Sequence, residues 1–332
     1  MTILKEIKGI KVQVLETNPT DLVEGQIWYN STSQAFKAAF YGNIPGAWST
    51  GGAILAARGN RGAGTQTAAL SFGGSGADPS QNTYSFEYNG STWGVGGIMS
   101  IAKCAGGGAG TQTAGLAFGG EDTPSTNTTS TEEYNGSSWT SGGNLGTARN
   151  ILASAGTQTA GLGFGGVPGL FYAGYAVADT EEYDGSSWTA GGSLATARMW
   201  LAGAGTQTAG LAFGGFITGV NATEEYDGSA WTTGGNLINI NFGLGGAGTQ
   251  TAGLAFGGHD TAAYAVTEEY NGTSWSSGGN MGTARYNLGG AGTQTAGLAF
   301  GGAASVFGSA MDNTEEYISG NVGTFAKTIT TT

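Results

Sequence analysis

The sequence predicts an all-β fold: a propeller of four-stranded antiparallel blades. Three observations predict it. The pentapeptide Gly-Thr-Gln-Thr-Ala occurs six times, with Gln66, Gln112, Gln158, Gln207, Gln250 and Gln294 spaced by 46, 46, 49, 43 and 44 residues. A second series, Trp48, Trp93, Trp139, Trp188, Trp231 and Trp275, is spaced by 45, 46, 49, 43 and 44. The two series move together, so the unit is one module of about 45 residues, the period of propeller blades. Thirdly, each unit holds four short apolar runs punctuated by turn signals, which reads as four strands.

One unit shows the strands in order. Residues 151–156 form the first strand, Thr157-Gln158 the turn, and residues 159–165 the second strand, ending at Gly165-Gly166. A loop follows. Thr180-Glu181-Glu182-Tyr183 is the third strand, Asp184-Gly185 the hairpin turn and Ser187-Trp188-Thr189 the fourth strand. Asn-Gly fills the same turn at Asn89-Gly90, Asn135-Gly136 and Asn271-Gly272. Both residue types tolerate the positive φ that two-residue hairpins require. The Thr and Gln of the first turn are expected to hydrogen-bond local backbone. Phe, Tyr and Trp of each unit supply the large side chains between blades, while Gly and Ala let the inner strands approach one another.

Seven tyrosines occupy the third-strand position: Tyr41, Tyr88, Tyr134, Tyr183, Tyr226, Tyr270 and Tyr317. Trp28 and its neighbours lie ahead of Tyr41 as a second strand would, residues 11–15 can serve as a first strand, and Val322 stands at Tyr+5, where other units have Trp. Seven blades are therefore favoured: residues 1–52 as a degenerate blade, 53–325 as six regular ones and 326–332 as a tail. The alternative is six blades with an N-terminal attachment hairpin.

In such a blade the two hairpin turns lie on one face of the disc, and the loop between the second and third strands lies on the other. The turns are nearly invariant between units. From the Phe of the second strand to the Tyr of the third, the units count 16, 16, 19, 13, 14 and 17 residues. Unequal loops on a rigid scaffold are a common arrangement for binding. The candidate ligand- or receptor-binding residues are Phe171, Tyr172, Tyr175, Phe216, Asn221, His259, Asp260, Tyr264, Phe307 and Asp312. Aromatic tips beside Asn and Asp suit sugars, whose CH faces stack on rings while their hydroxyls take polar partners.

Composition narrows the function. Of 332 residues 66 are Gly, yet aromatics reach 11%, too many for a flexible linker. The net charge of −12, with 11 Lys+Arg, argues against nucleic acid or an anionic membrane surface as partner. One cysteine, Cys104, and one histidine, His259, leave no Cys-built or His-pair metal site, and no cofactor is expected. No apolar run suits a membrane span, and the charged start lacks the apolar stretch of a signal peptide. Glu-Glu pairs recur at 132–133, 181–182, 224–225, 268–269 and 315–316, with Glu87 alone in its unit. Adjacent strand residues point to opposite faces, so a pair is no acid/base couple. Packing or arginine pairing is the expected role, and Arg58, Arg149, Arg198 and Arg285 read as repeated scaffold positions. No enzyme is expected.

The markers Phe118-Gly119-Gly120, Glu133-Tyr134, Trp139 and Thr147-Ala148-Arg149 resemble the kelch repeat in their order. Lys103 replaces the basic residue in one unit and Asn241 departs from it. The resemblance covers residues 40–322 and implies a kelch-type propeller. Copper-radical oxidases of that type need two His ligands and a Tyr–Cys cross-link, which one His and one Cys do not supply. The near-identity of the units also resembles kelch-type proteins of marine tailed bacteriophages. Gly25-Gln26-Ile27-Trp28-Tyr29-Asn30 resembles a hairpin of phage tail and fibre proteins. This implies a virion surface protein, a fibre or receptor-binding component released by lysis. Its implied partners are other virion proteins and a host-surface glycan or protein, with a homo-oligomer possible. A structural decoration or connector subunit, or an intracellular interaction module, are the alternatives.

Overall fold

A computed structural model describes residues 6–7, 10–11, 13–20, 26–43, 46–56, 58–76, 82–122, 126–169, 175–217, 221–305, 309–320 and 322–328. By contacts the chain divides into two compact units, Ala47–Ser319 and a second made of Met1–Gly46 with Gly320–Thr332. The first is a β-propeller of six four-stranded blades. Blade 1 comprises Arg58–Thr65, Ala68–Gly76, Tyr84–Tyr88 and Trp93–Ile98. Blade 2 comprises Gly107–Thr111, Ala114–Phe118, Thr131–Tyr134 and Trp139–Ser141. Blade 3 comprises Ala153–Thr157, Ala160–Phe164, Thr180–Tyr183 and Trp188–Ala190. Blades 4 and 5 repeat the pattern from Ala202–Thr206 to Trp231–Thr233 and from Gly245–Thr249 to Trp275–Ser277. Blade 6 takes Gly289–Gly292, Ala296–Phe300 and Thr314–Ile318 from the end of the unit and Ala47–Thr50 from its start. The first strands of successive blades adjoin one another around the axis.

The blade count is six, the alternative number, and the residues expected as a degenerate seventh blade give a four-stranded sheet of the second unit, in the order Gln13–Leu15, Ile27–Asn30, Ala35–Asn43 and Val322–Thr328. In the second unit Gln13–Leu15 runs parallel to Ile27–Asn30, whereas every strand pair of a blade is antiparallel. Ala35–Asn43, which carries Tyr41, pairs with Val322–Thr328. Blade 6 is instead closed by the Trp48 strand, with Tyr317 opposite Trp48. The reason is chemical. Trp48 stacks its ring 5.0 Å from Tyr317 and 5.1 Å from Phe256, and its Nε1 donates to Thr267 Oγ1 at 2.9 Å. Val322 has the spacing of a fourth strand but neither the ring nor the donor.

Three side-chain bonds recur at all six blade interfaces. Each Tyr of the third strand donates its hydroxyl to a glutamate of the preceding blade at 2.5–2.7 Å: Tyr88 to Glu316, Tyr134 to Glu87, Tyr183 to Glu133, Tyr226 to Glu182, Tyr270 to Glu225 and Tyr317 to Glu269. Each indole Nε1 donates to a hydroxyl of the preceding blade, as Trp231 does to Thr180 at 2.9 Å and Trp139 to Ser85 at 3.2 Å. Each glutamine Nε2 reaches two backbone carbonyls of the preceding blade, as Gln158 does to Gly115 and Tyr134 at 3.0 and 2.6 Å. The last bond corrects the expected local role of the glutamine. The turn is centred on Gln158-Thr159, one residue later than expected, and Thr157 Oγ1 accepts from Ala160 N within it. Thr is the local cap and Gln is the inter-blade tie.

In blades 3, 4 and 6 the first residue of the Glu pair takes the repeated arginine. Arg149–Glu181, Arg198–Glu224 and Arg285–Glu315 are buried pairs at 3.0 Å. Burial pushes each guanidinium pKa down, and its glutamate opposes that shift. In blade 2 the Lys103 ammonium occupies this place, bonded to the carbonyl and hydroxyl of Ser130; burial lowers its pKa to about 8. In blade 5 two asparagines share the task. Asn241 Nδ2 donates to Gly257 O at 2.6 Å, as Arg198 does to Gly214, and Asn239 Nδ2 donates to Glu268 at 3.0 Å. Blade 1 has neither partner: buried Phe86 stands at the glutamate position. Arg58 is not in the arginine register, because it pairs within the first strand with Gly76. The residue in that register is Ala57, outside the described residues.

Candidate functional site

The two faces of the propeller differ in construction. One carries the glutamine turns and the Asx turns. There Asn135 Oδ1 accepts from the backbone N–H groups of Ser137 and Ser138 at 3.0 and 2.9 Å. Asp184 accepts from Ser186 and Ser187, which pulls its pKa down to about 2. These short polar turns repeat from blade to blade.

The other face carries the loops after the Gly-Gly doublets together with the links into the next blade. A doublet and the following link bond directly: Gly120 N donates to Arg149 O, Gly166 N to Arg198 O and Gly258 N to Arg285 O, at 2.8–2.9 Å. Here glycine is required. Gly119 and Gly120 have φ of 60° and 89°, and a Cβ on Gly119 would lie 2.8 Å from Arg149 O. A constant doublet thus launches a variable loop.

The structure places the candidate residues on this face in different states. Phe171, Tyr172 and Phe307 lie outside the described residues. Tyr175 is 61% exposed, and Asp260 and Asp312 are exposed. Asn221 is a scaffold residue: its Nδ2 donates to Leu237 O at 2.9 Å and its carbonyl accepts from Leu237 N. Tyr264 is half-buried, with its phenol pKa pushed up first by burial and then by Asp260. His259 is buried, its ring 5.2 Å from both Phe242 and Tyr286. Phe216 lies 5.1 Å from Phe242 and 6.1 Å from Trp200. Phe216 and His259 are therefore joined by one aromatic run, Trp200–Phe216–Phe242–His259–Tyr286, which spans blades 4 to 6.

Three members of that run, Trp200, Phe242 and Tyr286, were not among the candidates. They sit on the links, one or two positions after the repeated basic residue. The same positions read Cys104-Ala105, Asn150-Ile151, Met199-Trp200, Phe242-Gly243 and Tyr286-Asn287. That variation between otherwise matching units is the signal that marks them. Trp200 and Asn287 also line a cavity of about 100 Å³ on the axis, with Arg61, Ser154 and the glycines of the first strands.

The backbone at the cavity mouth is unusual. Ala105, Ile151, Trp200, Gly243 and Asn287, one from each of blades 2 to 6, have φ of 49–63°. They bond head to tail: Ile151 N to Ala105 O, Trp200 N to Ile151 O, Gly243 N to Trp200 O and Asn287 N to Gly243 O, at 2.6–3.1 Å. For a β-branched residue such as Ile151 this conformation costs roughly 1–3 kcal/mol, so the inter-blade bonds hold it in place. Blade 1 interrupts the series. Its equivalent, Gly59, lies in the first strand opposite Ser75, ahead of a register shift that ends at Arg61. Arg61 Nε donates to Gly106 O at 2.6 Å.

Neither protein-family models nor curated proteins give a match to the chain. The repeat and the geometry of the two faces carry the functional reading.

Proposed function

We propose that the protein is a non-catalytic binding propeller of a virion surface. Its loop face engages a host-surface glycan or another virion protein. One observation carries this reading: differences between units are concentrated on the face bearing the loops and links, while the opposite face repeats. A kelch-type ancestry and the virion setting rest on the resemblance of the repeat markers and of residues 25–30. The non-catalytic reading draws support from the repeated acids and phenols, whose Tyr–Glu and Arg–Glu bonds commit them to scaffold roles.

A connector role within the virion is the second reading. It is favoured by exposed apolar side chains on the links, Leu55, Ile238 and Ile240 at 57%, 54% and 41% exposure. The test separates the two. The triple variant Tyr175→Ala, Asp260→Ala, Asp312→Ala should lose adsorption to host cells or binding to a glycan array while its melting temperature stays within about 1–2 °C. Undiminished binding, or absence of the protein from purified virions by mass spectrometry, would count against the proposal.

A further inference from the structure

The link from blade 4 into blade 5 breaks the repeat with two isoleucines. In the links that end in a buried arginine, the residue after the buried Leu or Met is Gly146, Ala195 or Gly282. The residue before the arginine is Ala148, Ala197 or Ala284. At these two positions the link into blade 5 has Ile238 and Ile240. Neither serves the core, since Ile238 is 54% and Ile240 41% exposed. Nor does the path of the link need a large side chain. Ile238 donates its backbone N–H to Glu268 Oε2 at 2.7 Å, and Gly146 makes the same bond to Glu181 at 2.6 Å.

The neighbouring residues extend this apolar surface. Two positions on, Phe242 is half-buried and its ring lies 5.1 Å from that of half-buried Phe216. The loops of blades 4 and 5 are the shortest, at 13 and 14 residues from Phe to Tyr against 16, 16, 19 and 17 in the others. The isoleucines and rings therefore lie where the loops cover least. Amides beside them are already engaged: Asn221 Nδ2 on Leu237 O, Asn239 Nδ2 on Glu268 Oε1 and Asn241 Nδ2 on Gly257 O. That leaves few donors for sugar hydroxyls and favours an apolar peptide.

Charge narrows the partner further. Among the described side chains of Ala47–Ser319, every exposed charged residue is an aspartate. On the loop face these are Asp179, Asp260 and Asp312, and Asp260 directly follows His259 of the aromatic run. The arginines of the links are buried in their glutamate pairs. An apolar patch flanked by carboxylates complements a segment that carries Lys or Arg beside bulky apolar side chains. A second copy of the chain suits it poorly, because each copy carries a net charge of −12.

We propose that Ile238, Ile240, Phe242 and Phe216 form the docking site for a basic, apolar peptide segment of a partner protein. This site deepens the loop-face reading by placing a protein partner on that face and giving its chemistry, and it rests on that reading for its biological setting.

The test is selection of a yeast-displayed library of random short peptides on the immobilised full chain, followed by fluorescence polarisation with the enriched peptides. Enriched sequences should combine Lys or Arg with Leu, Ile, Phe or Trp, and added salt should weaken their binding. The double variant Ile238→Ala, Ile240→Ala copies Ala195 and Ala197 of the preceding link. It should bind these peptides at least tenfold more weakly, with a melting temperature within about 1–2 °C of the parent. No enrichment, enriched sequences that are acidic or lack apolar residues, or parental affinity in the double variant would overturn the proposal. A glycan-array signal or a concentration-dependent self-association that the double variant removes would also overturn it, by making a sugar or a second copy the occupant. The two readings fail separately. Peptides indifferent to the double variant, with adsorption lost in the Tyr175/Asp260/Asp312 triple, would remove this site and leave the loop-face reading standing. Peptides lost in the double variant, with adsorption intact in the triple, would do the reverse.

Discussion

Removing one hydroxyl from Tyr226 tests how the blades are held together. Tyr226 is fully buried; its hydroxyl donates to Glu182 Oε1 at 2.5 Å and accepts from Gly192 N at 3.3 Å. Tyr226→Phe keeps the ring packed 4.9 Å from Trp231 and deletes only these bonds. A hydrogen bond to a charged group contributes about 1.5–3 kcal/mol. Unfolding entropy of about 2.1 cal/mol/K per residue over roughly 270 residues is about 0.6 kcal/mol/K, so Tm should fall by ~3–5 °C. Differential scanning calorimetry measures this directly. A cycle with Glu182→Gln should return a coupling of about 1 kcal/mol or more, since the two groups touch. A Tm change under 1 °C, or additive effects in the cycle, would refute the claim that the Tyr–Glu bond ties blade 4 to blade 3.

Alkaline pH should weaken the whole ring. Burial first, and the glutamate bond next, push the phenols of Tyr88, Tyr134, Tyr183, Tyr226 and Tyr270 up to about 12, and Tyr317 higher. The stability from these raised values is complete below the ordinary tyrosine range near 10. It is lost as pH climbs from about 10 to 12, because the unfolded chain gives up its phenolic protons first. Melting curves across that range should show a steep decline, and a flat profile would contradict it. Trp48→Ala should cost about 3–5 kcal/mol, as much as Trp231→Ala in an uninterrupted blade, measured by urea unfolding; a silent Trp48→Ala would mean the ring is not closed by this strand. Arg198→Ala should cost about 3–5 kcal/mol by leaving Glu224 buried without its partner. The double variant Arg198→Ala, Glu224→Phe imitates the Ala57 and Phe86 of blade 1 and should recover part of that loss.

Much of the scaffold was legible because each unit repeats the same strand and turn chemistry. Tyr183, Trp188 and Asp184-Gly185 give the outer hairpin of blade 3 where it was expected. Closure was harder to read. Val322 satisfies the count from Tyr317, but spacing alone does not say which strand brings an indole to Phe256 and Thr267. The role of Gln158 was hidden for a related reason: its acceptors lie 43 and 24 residues away and meet it only once blades stand side by side. At the candidate site, the loops drew notice by their unequal lengths, which favoured residues such as Asn221 and His259. Asn221 is spent on Leu237, and His259 is buried between two rings. Arg61, Trp200 and Asn287 change the chemistry of the repeat without changing its length. Aligning units by residue type at the links and first strands would have exposed them.

The central claim is that one face of the propeller binds and the other does not. Capturing the protein in two orientations tests it most directly. In a Cys104→Ser background, Ser137→Cys places a thiol on the turn face and Ser305→Cys places one on the loop face; both sites are exposed and neither is a candidate binding residue. Each variant is biotinylated, immobilised and exposed to host-envelope fragments, and binding is read by surface plasmon resonance. Both variants should bind in solution as the parent does; capture through residue 137 should leave binding intact, and capture through residue 305 should abolish it. Equal binding in both orientations, or binding only when the turn face is free, would contradict the account.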